Sequence, residues 1–435
     1  MNMVSIIKKK VSGAELTQEE MHSFISCLQK QTISDDEIRT LLLAFSVKGM
    51  SDNEIYNLAM EIALSGTMFE LRKDFPIILD KHSIGGFTDP ATVVLIPILM
   101  ALDFPVIKIS SSGYGEYART LDRFRVFQGF HSSLTKKQMI LQLQNIHAVV
   151  SEIPKDLVPV NKVLEDWYKK LKIQDFLPFI AASVMGKKIA TGASVVVLDI
   201  KCGESSQITD VDKAESLANL CIMIGRRVGI KMSVIISNAN QPYGRFVGAT
   251  LEIRDILDAL ASGRIVDKSY YALVRELATN ALILAKRCNG RSDAYDAIDE
   301  VVENKKAYQC FQLLVQSQGG DVSAFEDKES LLPALNETYI TAPKSGRLVD
   351  IKNELVSAGV SLLGRNAEGT KIDPRVGFEF FVTEGEKVKA GQRLAKVYYD
   401  VSDPAFAQTI GVLRSAFIID KKRRKKQNLI YKVLI

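Results

Sequence analysis

Apolar residues recur every three or four positions through the first 65 residues, as in Met21, Phe24, Ile25 and Leu28, or Ile38, Leu41, Leu42 and Phe45. This is the spacing of one buried helix face. "TQEE" from Thr17, "SDDE" from Ser34 and "SDNE" from Ser51 each put a hydroxyl three residues before a Glu, the reciprocal capping box that satisfies orphan N–H groups at a helix start. A small helical domain is therefore expected over residues 1–66. From about residue 75 the rhythm shortens: "FPIILD" runs into "KHSIGG", "FPVIKIS" into "SSGYGEY", "ASVVVLDIK" into "CGESS" and "KMSVIIS" into "NANQPYG". Apolar strands that end in polar, glycine-bearing loops and lead into helices predict an α/β domain, with ligands gathering at the carboxyl ends of the strands. Past residue 335, "YITAPKSGRLVDI" and "GFEFFVTEGEKVKAGQRLAKVYYD" turn to β-rich alternation, so a third, mostly β domain is expected over 336–435.

A chain of 435 residues with 47% hydrophobic and 25% charged residues has room for two or three packed cores and is not disordered. No apolar run approaches the roughly 18–20 residues that span a bilayer, and "MNMVSIIKKKVSG" lacks the apolar core of a signal peptide. A cytoplasmic protein without membrane contact is expected. Cys27, Cys202, Cys221, Cys288 and Cys310 are scattered and the histidines lack metal-ligand spacing, which points to free thiols and no metal site. The net charge of +5 is smaller than the six charges of "KKRRKK" at 421–426. That run is either a solvated charge cluster or a contact for an acidic surface, and it is no evidence of nucleic-acid binding.

The loops carry the chemistry. In "LDKHSIGGFTDPATVVL" Lys81, Ser83, Gly85 and Gly86 precede Asp89 and Pro90, a pair suited to cap and open a helix. Such a loop is either an anion cradle facing the helix dipole or a structural turn. "KISSSGYGEYART" repeats the logic with Ser110 and Thr120. In "AASVMGKK", Ser183 and Lys187 lie four apart and share a helix face, either as a ligand grip or as a solvated pair.

With these motifs, and with "VVLDIKCG", "NQPYGRFVG" and "IDPRVGFEF" following in order, the whole chain resembles the pyrimidine nucleoside phosphorylase and thymidine phosphorylase family. The resemblance implies an α domain, an α/β phosphate-binding domain (67–159 and 191–335), a segment at 160–190 that returns to the α domain, and a C-terminal β-rich α+β domain. It implies a homodimer joined through the helical domain, with phosphorolysis of a nucleoside to free base and sugar 1-phosphate. Inorganic phosphate is the co-substrate, and neither a metal nor an organic cofactor is needed. The family's phosphate ligands fall on Lys81, Ser83, Thr92, Ser110 and Thr120, and its base-facing histidine on His82.

The base grip departs from the family. Ser183 and Lys187 remain, but Tyr168 stands at the usual Arg and Gln207 at a usual Phe. Neighbouring Lys169 or Lys170 would substitute for the Arg only if the helix turned. Tyr114 and Trp167 either stack on a different base or pack in the core. Glu116 and Ser205 replace residues on opposite sides of the closing cleft and are expected to pair across it. An altered base preference follows from this resemblance; a catalytically impaired homologue that binds nucleoside, phosphate or a partner protein is the alternative.

Overall fold

The computed structural model describes all residues except 1, 87–88, 111–119, 205, 241, 265–269, 332–335, 365–372, 402–404 and 421–427. The chain opens with helices α1 (Met3–Val11), α2 (Gln18–Gln29), α3 (Asp35–Lys48) and α4 (Asp52–Leu64). Thr17, Ser34 and Ser51 each accept from the backbone N–H of a Glu whose side chain returns to the capping residue, so all three capping boxes form.

The central part runs β1 (Leu79–Ile84), α5 (Pro90–Ala101), β2 (Val106–Ser110), α6 (Thr120–Phe124), α7 (Lys136–Ile146) and β3 (Ala148–Glu152). Then α8 (Pro159–Lys170) and α9 (Leu177–Thr191) leave the sheet and pack against α2 and α4. Gly186 makes this possible: a Cβ there would sit 2.6 Å from the Ile62 side chain and 3.1 Å from the Ala59 carbonyl oxygen. The chain returns as β4 (Val195–Cys202), α10 (Val211–Arg227), β5 (Lys231–Asn238), β6 (Phe246–Val247) and α11 to α14 (Ala249–Ser262, Tyr271–Leu284, Arg291–Glu303, Lys306–Ser317). The remainder comprises β7 (Asn336–Thr341), β8 (Gly346–Ile351), α15 (Asn353–Leu362), β9 (Gly377–Phe380), β10 (Lys387–Val388), β11 (Arg393–Tyr399), α16 (Phe406–Ala416), β12 (Phe417–Asp420) and β13 (Ile430–Leu434).

Among the described residues the main sheet has the order β13-β5-β4-β1-β2-β3, parallel except for β13. Its strands alternate between two cores. Val196, Leu198 and Ile200 of β4 join Ile107 and Ile109 of β2 in a core shared with the helical bundle. Val195 and Val197 join Leu79 and Val106 in a second core against α5, α11, α12 and α14. This period of two decides which polar side chains of each strand meet which helices.

The segment from residue 336 has its own core, around Phe378, Val397 and Leu348. Among the described residues two strand pairings cross the boundary expected at 336. β6 pairs with β9, and β13 leaves the C-terminal region to pair with β5 at the edge of the main sheet.

Candidate active site

β1 separates two sets of functional groups onto its two faces. Leu79, Lys81 and Ser83 point toward α5, while Asp80, His82 and Ile84 point toward the helical bundle, as the core membership of Leu79 and Ile84 requires.

On the α5 face, Lys81 Nζ donates to Asp89 Oδ2 at 2.9 Å and to Thr92 Oγ1 at 2.6 Å, and also bonds Ser83 Oγ. The hydroxyls of Ser83 and Thr92 each donate to Asp89 Oδ2 at 2.6 Å. Three residues expected to hold an anion thus converge on one oxygen, and that oxygen belongs to the protein. Asp89 was expected to cap α5, yet its side chain makes no capping bond; Lys81 and Lys201 draw it into the cradle instead, Lys201 Nζ lying 3.8 Å from Asp89 Oδ1. Burial alone would push the Asp89 carboxyl up, but Lys81, Lys201 and the two hydroxyls outweigh it and hold it well below the usual carboxylate range.

Lys201 itself is buried against Asp199 at 2.8 Å and over the Tyr243 ring at 4.1 Å. Gly86, at φ +77°, lies so close that any Cβ would overlap the Lys201 side chain. Lys108 of β2 donates to the Lys81 carbonyl oxygen at 3.1 Å. Burial, then Lys188 and Lys81, lower its ammonium to about 7. Ser110 ends β2, where it pairs in register with Glu152 of β3, and Thr120 opens α6, where it is buried. No side-chain bond is recorded from either to the cradle among the described residues.

On the other face, Lys188 of α9 pairs with Asp80 at 2.8 Å, joining the helical bundle to the sheet under the cradle. His82 is half-buried and its Nδ1 has no partner among the described residues. Burial first, then the charges of Lys188, Lys108, Lys187 and Lys81, drive its pKa well below the ordinary value. At neutral pH it is a neutral imidazole, a hydrogen-bond donor rather than an acid.

A second cluster lies between α8 and α9. Ser183 and Lys187 share a face, with Nζ 3.3 Å from Oγ. Tyr168 does not join them. Val160, Leu164 and Tyr168 form the buried stripe of α8, and the Tyr168 ring stacks on Phe179 at 4.3 Å and 5° with its hydroxyl unpartnered among the described residues. The adjacent stripe, Asn161 and Glu165, turns to the polar Ser183–Lys187 face of α9, away from Phe179. Glu165 Oε1 accepts from Asn161 Nδ2 at 2.8 Å, Ser183 Oγ at 3.0 Å and Lys187 Nζ at 3.2 Å.

Burial raises the Glu165 carboxyl, but Lys187 and these bonds outweigh it and leave it below its ordinary value. The sequence reading missed Glu165. The available signal was its position one turn before Tyr168, on the polar side of an amphipathic helix. Nor does a lysine replace the family Arg: Lys170 lies 4.1 Å over the Trp167 ring and 3.3 Å from Asp35, and Lys169 is exposed. Trp167 is half-buried against the bundle core.

Gln207, in the loop after β4, donates to the Gln174 carbonyl oxygen at 3.1 Å, bonding the sheet region to the α8–α9 connection. Tyr114, Glu116, Ser205 and the 421–426 run lie outside the described residues. Among the described residues no group of three or more His, Cys, Asp or Glu is arranged to hold a metal ion, and no helix is long and apolar enough to cross a membrane.

A helical bundle set against a parallel sheet, with hydroxyl and ammonium donors at the sheet's carboxyl edge, defines a pentosyltransferase of thymidine phosphorylase-like architecture. Residues 4–66 match the family model described as the glycosyl transferase family, helical bundle domain. The pyrimidine-nucleoside phosphorylases of Bacillus subtilis (strain 168) and Staphylococcus haemolyticus (strain JCSC1435) are each 34% identical over 400 residues, covering 92% of this chain and 92% of theirs. The anthranilate phosphoribosyltransferase (TrpD) of Thermus thermophilus has the same fold, with a TM-score of 0.58 and 15% identity over 72% of this chain and 99% of its own. The chain belongs to the pyrimidine-nucleoside phosphorylase family.

Proposed function

We propose that the protein phosphorolyses a pyrimidine or related nucleoside to free base and (deoxy)ribose 1-phosphate, with inorganic phosphate as co-substrate and a base preference shifted away from uracil and thymine. The observation that carries this reading is the convergence of Lys81, Ser83 and Thr92 on a single anionic oxygen. A phosphate oxygen bonds to C1′ as the C1′–N1 bond breaks. The electron pair passes to N1 and is spread onto the base carbonyl, and a proton from solvent completes the free base. The donors stabilise and aim the phosphate at an oxocarbenium-like carbon. Neutral His82 supports departure by donating a hydrogen bond to the base.

The shift in preference is supported by the base grip, which holds a carboxylate and lacks the family's guanidinium. Exposed Val4 and Val11 on α1 and Leu43 and Val47 on α3 support a homodimer through the helical bundle.

A binding-only homologue is favoured by one observation, the filling of the cradle by Asp89. Incubating a nucleoside panel with and without phosphate separates the two readings. Sugar 1-phosphate that forms only with phosphate and is lost in Lys81→Ala upholds catalysis. Phosphate binding without any turnover overturns it.

A further inference from the structure

Resting on that phosphorolytic reading, we infer that Glu165 makes the base pocket select an amino-bearing pyrimidine of the 4-amino-2-oxo class over the 2,4-dioxo class. Uracil and thymine present carbonyl, ring N–H and carbonyl along the edge away from the sugar, an acceptor–donor–acceptor pattern. The 4-amino-2-oxo ring presents an amine, a ring nitrogen lone pair and a carbonyl, a donor followed by two acceptors.

The protein edge matches the second pattern. Glu165 Oε1 is pinned by Asn161, Ser183 and Lys187, while Oε2 accepts no bond from a described residue on a side chain that is 41% exposed. A fixed anionic acceptor is thus left open beside a cation. Lys187 directs one hydrogen at Glu165 and one at Ser183, and its ammonium has a third for a ring nitrogen or carbonyl of the base.

Opposite a carbonyl at the 4-position, Oε2 would face a second lone pair in a half-buried site. Opposite an amine, it gains a charge-assisted hydrogen bond. A site built to hydrogen-bond one group leaves its own polar atom unpaired with the other, and discrimination of about ten- to a hundredfold follows. Tyr168 contributes nothing to this choice, being stacked in the bundle core.

The test measures kcat/KM for cytidine, deoxycytidine, uridine and thymidine with inorganic phosphate, by release of sugar 1-phosphate, in the wild type and in Glu165→Gln. The wild type is expected to favour the cytosine nucleosides by about tenfold or more. Glu165→Gln, whose amide both donates and accepts, is expected to erase most of that ratio. A wild-type preference for uridine or thymidine overturns the inference without recourse to any variant, as does a ratio unchanged in Glu165→Gln. Turnover of no nucleoside at all refutes the phosphorolytic reading instead. Calorimetric titration with free cytosine and free uracil then decides the inference separately: tighter cytosine binding upholds it, and equal or tighter uracil binding overturns it.

Discussion

Asp89→Asn tests how the cradle is balanced. In the wild type one carboxylate oxygen collects the hydroxyls of Ser83 and Thr92 and the ammonium of Lys81, and the other lies 3.8 Å from Lys201. The amide keeps the shape and removes the charge. Breaking a buried ion pair on one side costs about 3–5 kcal/mol, but Lys201 keeps Asp199 at 2.8 Å and Lys81 keeps it at 3.8 Å. The expected loss of stability is therefore smaller, about 2–3 kcal/mol.

Phosphate moves in the opposite direction. A phosphate charge about 4 Å from a carboxylate at an effective dielectric near 20 is repelled by ~4 kcal/mol per charge pair, so relief of even a third of this tightens binding about tenfold. At about a hundred times its Kd, phosphate adds ~2.7 kcal/mol to the stability of whichever form binds it. The variant should therefore regain most of its lost stability on phosphate addition. Calorimetric titration with inorganic phosphate, paired with urea unfolding with and without it, measures both effects. An Asp89→Asn protein that folds but binds phosphate no more tightly than the wild type would refute the view that Asp89 occupies the anion position.

Other outcomes follow from single residues. Lys108 has a folded pKa of about 7 against an ordinary 10.5, so between these values the unfolded chain binds more protons. Stability should rise with pH across that window, and the slope should flatten in Lys108→Met, as read by urea unfolding at stepped pH. Tyr168→Phe removes a buried hydroxyl with no partner among the described residues. Stability should stay within about 1 kcal/mol and the kinetics should not change, whereas Tyr168→Ala loses the Phe179 stack and should cost about 3–5 kcal/mol in thermal or urea unfolding. Ser34→Ala breaks the α3 capping box and should cost about 1 kcal/mol by the same measurement.

The elements are legible in the chain alone. Helical periodicity and the Ser/Thr-to-Glu spacing fix where the first helices begin, because capping is a local exchange of hydrogen bonds within four residues. The strand-to-loop alternation marks the α/β centre, and the order of motifs marks the family. Which side chains meet is settled only by packing in three dimensions.

The alternation of β1 sends Lys81 and Ser83 to α5 and His82 to the bundle, a choice that depends on which face each neighbouring helix covers. Asp89 reads as a helix cap in one dimension. In three it is surrounded by Lys81, Lys201, Ser83 and Thr92, whose combined pull exceeds that of a free N–H. Tyr168 aligns with a base ligand, but the buried stripe of α8 takes it, and Glu165 one turn earlier meets Ser183 and Lys187. The pairing of β13 with β5 likewise joins residues about 200 apart in the chain. Local spacing sets the elements because their bonds close within a few residues; contacts between elements depend on helix rotation and strand face, which only packing fixes.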